Sequence, residues 1–351
     1  MKNLFVSILC FLFLFSASAF PSDASKPAPV GDGQWIQAGI NSELPRWGVQ
    51  GGLVWGIYCD TAKDGEPIGL IRLYYPTLPE KELDLINFIA VEPTVRNRRG
   101  FSEMEKNEQD GTMGKRFRVF DPKADKVLEN AMYPGIVDKT EDGRERLTVH
   151  LDLEKFQNGA HVRLKVVQYQ DNPDEIELTL NSASDSERMS YCVLTATMGN
   201  KARARLLWLK NRVENSLKLY PDFKESHFAN SLSFPKDDLF QDAKGNTVVA
   251  ITTDEADPAQ QKGAFPYEFW KYLGKPVTQY WKKTKGTAKD DLQSLVNGRY
   301  TYWMSDGPIP GGIAFENFEM MERFYEGQQF IIGITFKTPQ ELGFPKNVKP
   351  E

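Results

Sequence analysis

Apolar and polar positions alternate in short runs along most of this chain, and turn chemistry separates the runs. Between Arg146 and Leu153, Leu147, Val149, Leu151 and Leu153 are apolar while Thr148, His150 and Asp152 stand between them, the period-two signature of a strand with one buried face. The run His161–Val166 alternates in the same way, Asp171-Asn172-Pro173-Asp174 reads as a turn, and Ile176–Leu180 follows as a strand, so these three runs predict a meander. Compact runs at Leu53–Tyr58, Gly69–Tyr75 and Asn87–Val91 are bounded by Gly-Gly, Asp-Gly and Pro signals. Later strands are expected at Tyr191–Thr197, Thr247–Thr252, Tyr300–Met304, Gly312–Phe318 and Gln329–Phe336. Lys201–Leu219 fits either an amphipathic helix or a strand through Arg203, Arg205, Leu207 and Leu209. So many short strands with so little helix define an all-β chain, and the length predicts a large antiparallel β-sandwich.

The N-terminus departs from this pattern. Lys2 precedes an apolar run from Leu4 to Phe15, and Ala17-Ser18-Ala19 offers a small-x-small cleavage site, which together read as a secretory signal peptide over residues 1–19. The apolar run is about a dozen residues, short of the roughly 20 that span a bilayer. Residues 20–34 hold prolines, glycines and small polar residues with little that is apolar, the composition of a disordered linker. A single large β-sandwich domain is expected over 35–351, in a secreted or periplasmic protein.

Composition narrows the partners. With 48 acidic against 43 basic residues and no long run of either sign, nothing favours nucleic acid or an anionic membrane. Cleavage of the signal would leave Cys59 and Cys192, either a disulfide or two buried thiols. There is no CxxC and no Cys/His cluster, so no metal or other cofactor is expected. The seven Trp and thirteen Tyr supply either core or stacking platforms for sugar rings. Tyr280 and Trp303, in the similar strings Thr278-Gln279-Tyr280-Trp281 and Thr301-Tyr302-Trp303, are the rings selected for substrate contact.

One segment joins a rigid loop to a strand that carries an acid. Asp306-Gly307-Pro308-Ile309-Pro310-Gly311-Gly312 leads into Ile313-Ala314-Phe315-Glu316-Asn317-Phe318. Strict alternation puts Glu316 on one face with Ala314 and Phe318, where desolvation would raise its pKa and suit it to acid/base work; a strand-edge Glu paired with an arginine is the plainer alternative. Gly312-Ile313-Ala314-Phe315-Glu316 resembles the late Gly-x-x-x-Glu strand of aldose 1-epimerases and their galactose-mutarotase-like relatives. Glu326–Ile334 resembles their closing turn and strand, and Arg96-Asn97-Arg98-Arg99-Gly100 their Asn-Arg segment. The likeness covers about 25 residues. It implies a super-sandwich fold, Glu316 as catalytic base, and Arg98 and Arg99 in a sugar pocket. The family's Asn-His-x-Tyr acid motif is missing, and His161, on the same strand face as Arg163 and Lys165, is the nearest candidate acid. Glu103 opens an acidic stretch, 101–111, that would hold a sugar hydroxyl or Ca²⁺, or be a solvated loop.

No GxSxG, P-loop, GxGxxG or HExxH occurs. The expected function is an exported carbohydrate-active protein using carboxylate acid/base chemistry of lyase, hydrolase or epimerase type. The alternative is a non-catalytic carbohydrate-binding or surface-assembly protein.

Overall fold

The alternation at residues 146–153 is realised side chain by side chain: Leu147, Val149, Leu151 and Leu153 are buried, while Thr148 and His150 keep partial exposure. The computed structural model describes residues 35–58, 68–104, 114–197, 203–254, 274–302 and 306–346. Within them the strands form two sheets, and every pairing between named strands is antiparallel.

The first sheet has ten strands. It begins as a meander of β1 (Trp35–Ile36), β2 (Arg46–Val49), β3 (Val54–Ile57), β4 (Leu70–Tyr75) and β5 (Asp84–Val95). Its order continues through β13 (Tyr191–Thr197), β21 (Ala314–Met321), β20 (Gln293–Arg299) and β16 (Leu232–Pro235), and β6 (Arg98–Arg99) folds back on β5. The second sheet has twelve, in the order β15 (Val213–Asn215), β14 (Ala204–Trp208), β18 (Thr247–Thr253), β19 (Thr278–Lys283), β22 (Gln328–Thr335), β12 (Asn172–Ser182), β11 (Val162–Tyr169), β10 (Glu145–Leu153), β7 (Phe117–Asp121) and β8 (Lys126–Val127). Beside these, β9 (Ile136–Lys139) pairs with β10 and β17 (Phe240–Gln241) with β18.

Chain order explains how the two layers are stitched together. Strands β13 and β21 join the early meander to the later part of the first sheet, and β22 lies between β19 and β12 in the second. One apolar cluster draws on both sheets, with Trp47, Trp55, Phe315 and Phe318 from the first and Phe117, Leu151, Trp281 and Phe330 from the second. Fully burying each such side chain contributes roughly 1.5–3 kcal/mol, an upper figure because the unfolded chain is already partly compact. Two polar side chains caught between the layers are paired, Trp47 Nε1 donating to Tyr133 O at 2.9 Å and Asn87 Nδ2 to Gln279 Oε1 at 2.5 Å. This is a large antiparallel β-sandwich.

The structure departs from the sequence reading at two places. The expected turn at 171–174 is already strand: Tyr169 pairs with Asn172, so Gln170 and Asp171 alone make the turn, and Pro173 uses its carbonyl to accept from Leu53 N. Where a strand was expected at 300–304, the ladder ends at Arg299. Thr301 makes only an isolated bridge to Pro308, and Met304 lies outside the described residues. Of the two readings of Lys201–Leu219, the strand holds for β14, which carries Arg205 and Leu207; β15 and one helical turn, α1 (Ser216–Leu219), follow, the turn capped by the Asn215 side chain accepting from Leu217 N, and residues 201–202 lie outside the described residues. Cys192 is a buried free thiol, and Cys59 lies outside the described residues. No helix among the described residues is long and apolar enough to cross a membrane.

Candidate functional site

Alternation on the first sheet sends Ile71, Leu73, Ile89, Val91, Leu194 and Ala196 into the core, so Arg72, Phe88, Ala90, Glu92, Thr195 and Thr197 face the other way. Register aligns these in rows. Arg72 pairs with Phe88, Phe88 with Thr197 and Thr197 with Asn317; one step along, Ala90 pairs with Thr195 and Thr195 with Glu319.

Strand β21 does not alternate strictly. Val296 pairs with Phe318 and Gly298 with Phe315, so Glu316 and Asn317 together oppose the single residue Asn297, a β-bulge. Asn297 Oδ1 accepts from Asn317 N at 2.9 Å and fixes the irregularity. Phe315 and Phe318 therefore both enter the core. This corrects the expectation that Glu316 shares a face with Phe318: its companions on the outward face are Ala314, Asn317 and Glu319. Arg205, itself buried, holds the preceding loop by donating to the carbonyls of Pro310, Gly312 and Ile313, and it pairs with Asp254 at 2.9 Å.

Glu316 is 4 % exposed, and its Oε1 lies 3.7 Å from Arg299 Nη1. Burial pushes its carboxyl up to about 7; Arg299 opposes the rise and Glu103 adds to it. Glu103 is half-buried and is itself raised by burial, against the pull of Arg72. The Arg299 guanidinium lies 5.3 Å from the ring centre of Phe228, an exposed side chain.

A second carboxylate group stands on the same face. Arg96 and Asn97 form the two-residue turn between β5 and β6, both with positive φ (50° and 61°), the backbone twist that a tight hairpin requires. The turn pairs Arg99 with Thr94, on the face of β5 that carries Glu92. Arg99 Nη2 reaches Glu92 Oε2 at 2.5 Å and Glu319 Oε1 at 3.0 Å, and Thr195 Oγ1 donates to Glu319 Oε1 at 3.0 Å. Burial raises the Glu92 carboxyl, with Arg99 opposing and Glu319 contributing to the rise. Such perturbed carboxylates, held beside arginines on one face, have the makings of an acid/base site.

Glu103 and Glu316 thus lie close enough to interact, Arg99 stands on the same face beside Glu92 and Glu319, and Arg98 is exposed next to Arg99 in β6. His161 is elsewhere. Its Nδ1 lies 2.5 Å from Asp185 Oδ1 and its Nε2 3.2 Å from Asp152 Oδ1, and Asp152 faces outward from the second sheet between Leu151 and Leu153 of the core. His161 thus belongs to the outward side of the second sheet, whereas Glu316 faces outward from the first. Tyr280 is also on the second sheet, buried, with its hydroxyl donating to Glu175 Oε1 at 2.7 Å. Trp303 lies outside the described residues.

Sequence reading missed Glu92, Glu319, Arg72 and Arg299. A carboxylate inside an apolar run was the available signal, in Ala90-Val91-Glu92-Pro93 and Phe318-Glu319-Met320 as much as at Glu316. Among the described residues, no three His, Cys, Asp or Glu side chains group as a metal set. No family model matches the chain, and no curated protein matches it.

Proposed function

We propose that this is an exported carbohydrate-active protein, acting on a sugar or polysaccharide by carboxylate acid/base chemistry. The observation that carries the reading is Glu316: a bulge-borne carboxylate on the outward face of the first sheet, raised to about 7 by burial and set beside Arg299. A group titrating there is populated in both protonation states near neutral pH, which is what a general acid or base needs. Glu92, also raised, supplies a second proton-exchanging group on that face, in the role first given to His161. The exposed rings Phe101 and Phe228, each near one of the site's arginines, suit the stacking face of a pyranose. The local resemblance of Gly312–Glu316 to the galactose-mutarotase-like strand supports the same assignment, and the N-terminal signal pattern supports export.

A non-catalytic sugar-binding reading draws on one observation, the deep burial of Glu316, which would also suit a fixed hydrogen-bond acceptor. One experiment separates them. Purified mature protein is incubated with a panel of polysaccharides, and reducing ends and the ultraviolet absorbance of unsaturated products are followed in the parent and in Glu316→Gln. Turnover that falls roughly 10²- to 10⁴-fold in the variant while binding persists supports the enzyme. Binding without turnover in the parent selects the binder, and neither removes the carbohydrate reading.

A further inference from the structure

Strand β6 and the residues that follow it wall, together with residues 157–158, a cavity of about 270 Å³, lined by Arg98, Arg99, Phe101, Met104, Gln157 and Asn158. Its lining holds two arginines, two amide side chains and an aromatic ring, and no carboxylate residue among the described residues. Glu92 and Glu319 engage Arg99 through one nitrogen, Nη2, and 32 % of the Arg99 side chain stays exposed. Arg98 is exposed and has no ion-pair partner among the described residues. Its backbone is fixed nonetheless, because Asn158 Nδ2 donates to Arg98 O at 2.9 Å and to Pro93 O at 2.8 Å. Phe101 is 45 % exposed, with its ring centre 5.8 Å from the Arg99 guanidinium carbon.

These features select a ligand chemistry. A guanidinium offers a planar fork of donors that matches an oxyanion with two parallel hydrogen bonds. An exposed ring next to it offers an apolar face for the C–H side of a sugar. A neutral sugar would use the ring but leave Arg98 unmatched, whereas a simple inorganic anion would use the cation and leave the ring bare. The volume suits roughly one pyranose residue.

We propose that this cavity is a subsite for an anionic sugar: one pyranose whose carboxylate or sulfate is held by Arg98 and Arg99 while its ring lies on Phe101. The subsite rests on the carbohydrate reading above and narrows it to acidic glycans. Its position beside the Glu92–Arg99–Glu319 group makes it continuous with the carboxylate face, so a chain anchored there extends over the sheet that carries Glu316.

Isothermal titration of the mature protein tests it with three probes of equal length: a hexuronate oligosaccharide, a sulfated galactan oligosaccharide and the matching neutral galactan. An acidic probe is expected to bind at least tenfold tighter than the neutral one, and which of the two does so distinguishes carboxylate from sulfate. Arg98→Ala and Phe101→Ala should each weaken that binding at least tenfold. Both side chains are exposed, so the thermal midpoint should stay within a few degrees of the parent and show that the variants are folded. Arg99 is left intact because removing it would strand two buried carboxylates. Equal binding of acidic and neutral probes, or unchanged affinity in both variants, overturns the subsite and leaves the carbohydrate reading standing. Failure of a broad sugar panel to bind at all overturns both.

Discussion

The indole Nε1 of Trp281 donates to the main-chain oxygen of Phe318 at 2.9 Å, a hydrogen bond that crosses from the second sheet to the bulged strand of the first. Both residues are fully buried. The bond therefore anchors β21 immediately beyond the irregularity that presents Glu316.

Replacing Trp281 by Phe removes the donor and leaves Phe318 O buried without it, along with a small cavity. A loss of about 2–4 kcal/mol is expected. Urea unfolding followed by circular dichroism measures it; a change under about 0.5 kcal/mol would mean that water or another donor replaces the indole.

Glu316 should leave a signature in stability as well as in turnover. Its folded pKa, about 7, is above the ordinary carboxylate value of 4.5. Its favourable contribution is therefore complete below about pH 4.5 and is lost as pH rises through about 7. Glu316→Gln cannot ionise. Relative to the parent, the variant should gain on the order of 2–3 kcal/mol between pH 4.5 and 8, whatever its stability at the acid end. Chemical denaturation at several pH values gives the difference, and parallel curves would show that Glu316 titrates normally.

His161 carries the opposite implication for function. The Asp152 contact, then Asp185, raises its pKa against the effect of burial. That contribution to stability is full below the unfolded value of 6.5 and fades as pH rises through the raised folded value. The deficit of His161→Gln relative to the parent should therefore shrink above neutrality, and an NMR titration of the imidazole should show a midpoint above 6.5. Sugar turnover should stay within about twofold, since the residue lies on the far sheet. A collapse of turnover in a stably folded variant would return His161 to the site.

Tyr280 packs its ring over Gly333, its cross-strand partner, so that a Cβ at 333 would overlap the ring. Gly333→Ala should cost about 1–3 kcal/mol. Combined with Tyr280→Ala, the alanine at 333 has room, and the double variant should lose less than the sum of the two single losses. Additive losses would show that the ring and the glycine are energetically independent.

Much of the fold was legible because one face of nearly every strand is buried. Tyr191–Thr197 matches its strand end to end, and Leu147, Val149, Leu151 and Leu153 lie inward as their spacing implies. Local pattern fails where tertiary contacts decide. Pro173 looks like a turn residue but sits at a strand start, where its missing N–H goes unused and its carbonyl reaches Leu53. The site was half legible for the same reason. Glu316 was found because an acid interrupts an apolar run, yet its face was misjudged because alternation cannot foresee a bulge. Glu92 and Glu319 come from strands more than two hundred residues apart in sequence, and only the register of β13 between them brings both to Arg99. His161 was read from its strand face, shared with Arg163 and Lys165, and a local face carries no information about which sheet that strand will join.

The extra residue that β21 carries opposite Asn297 sets a parity rule for that strand. On an unbroken strand, positions three apart point in opposite directions, so Glu316 and Glu319 could not both stand outward. The supernumerary residue converts that odd spacing into an even one, and it returns Phe318 and Met320 to the core in the same stroke. A single deletion at Asn317 would restore regular pleating and force a choice between the acids and the apolar side chains. Changes of length in this strand are therefore tolerable only in twos, a constraint that substitution data alone would never reveal.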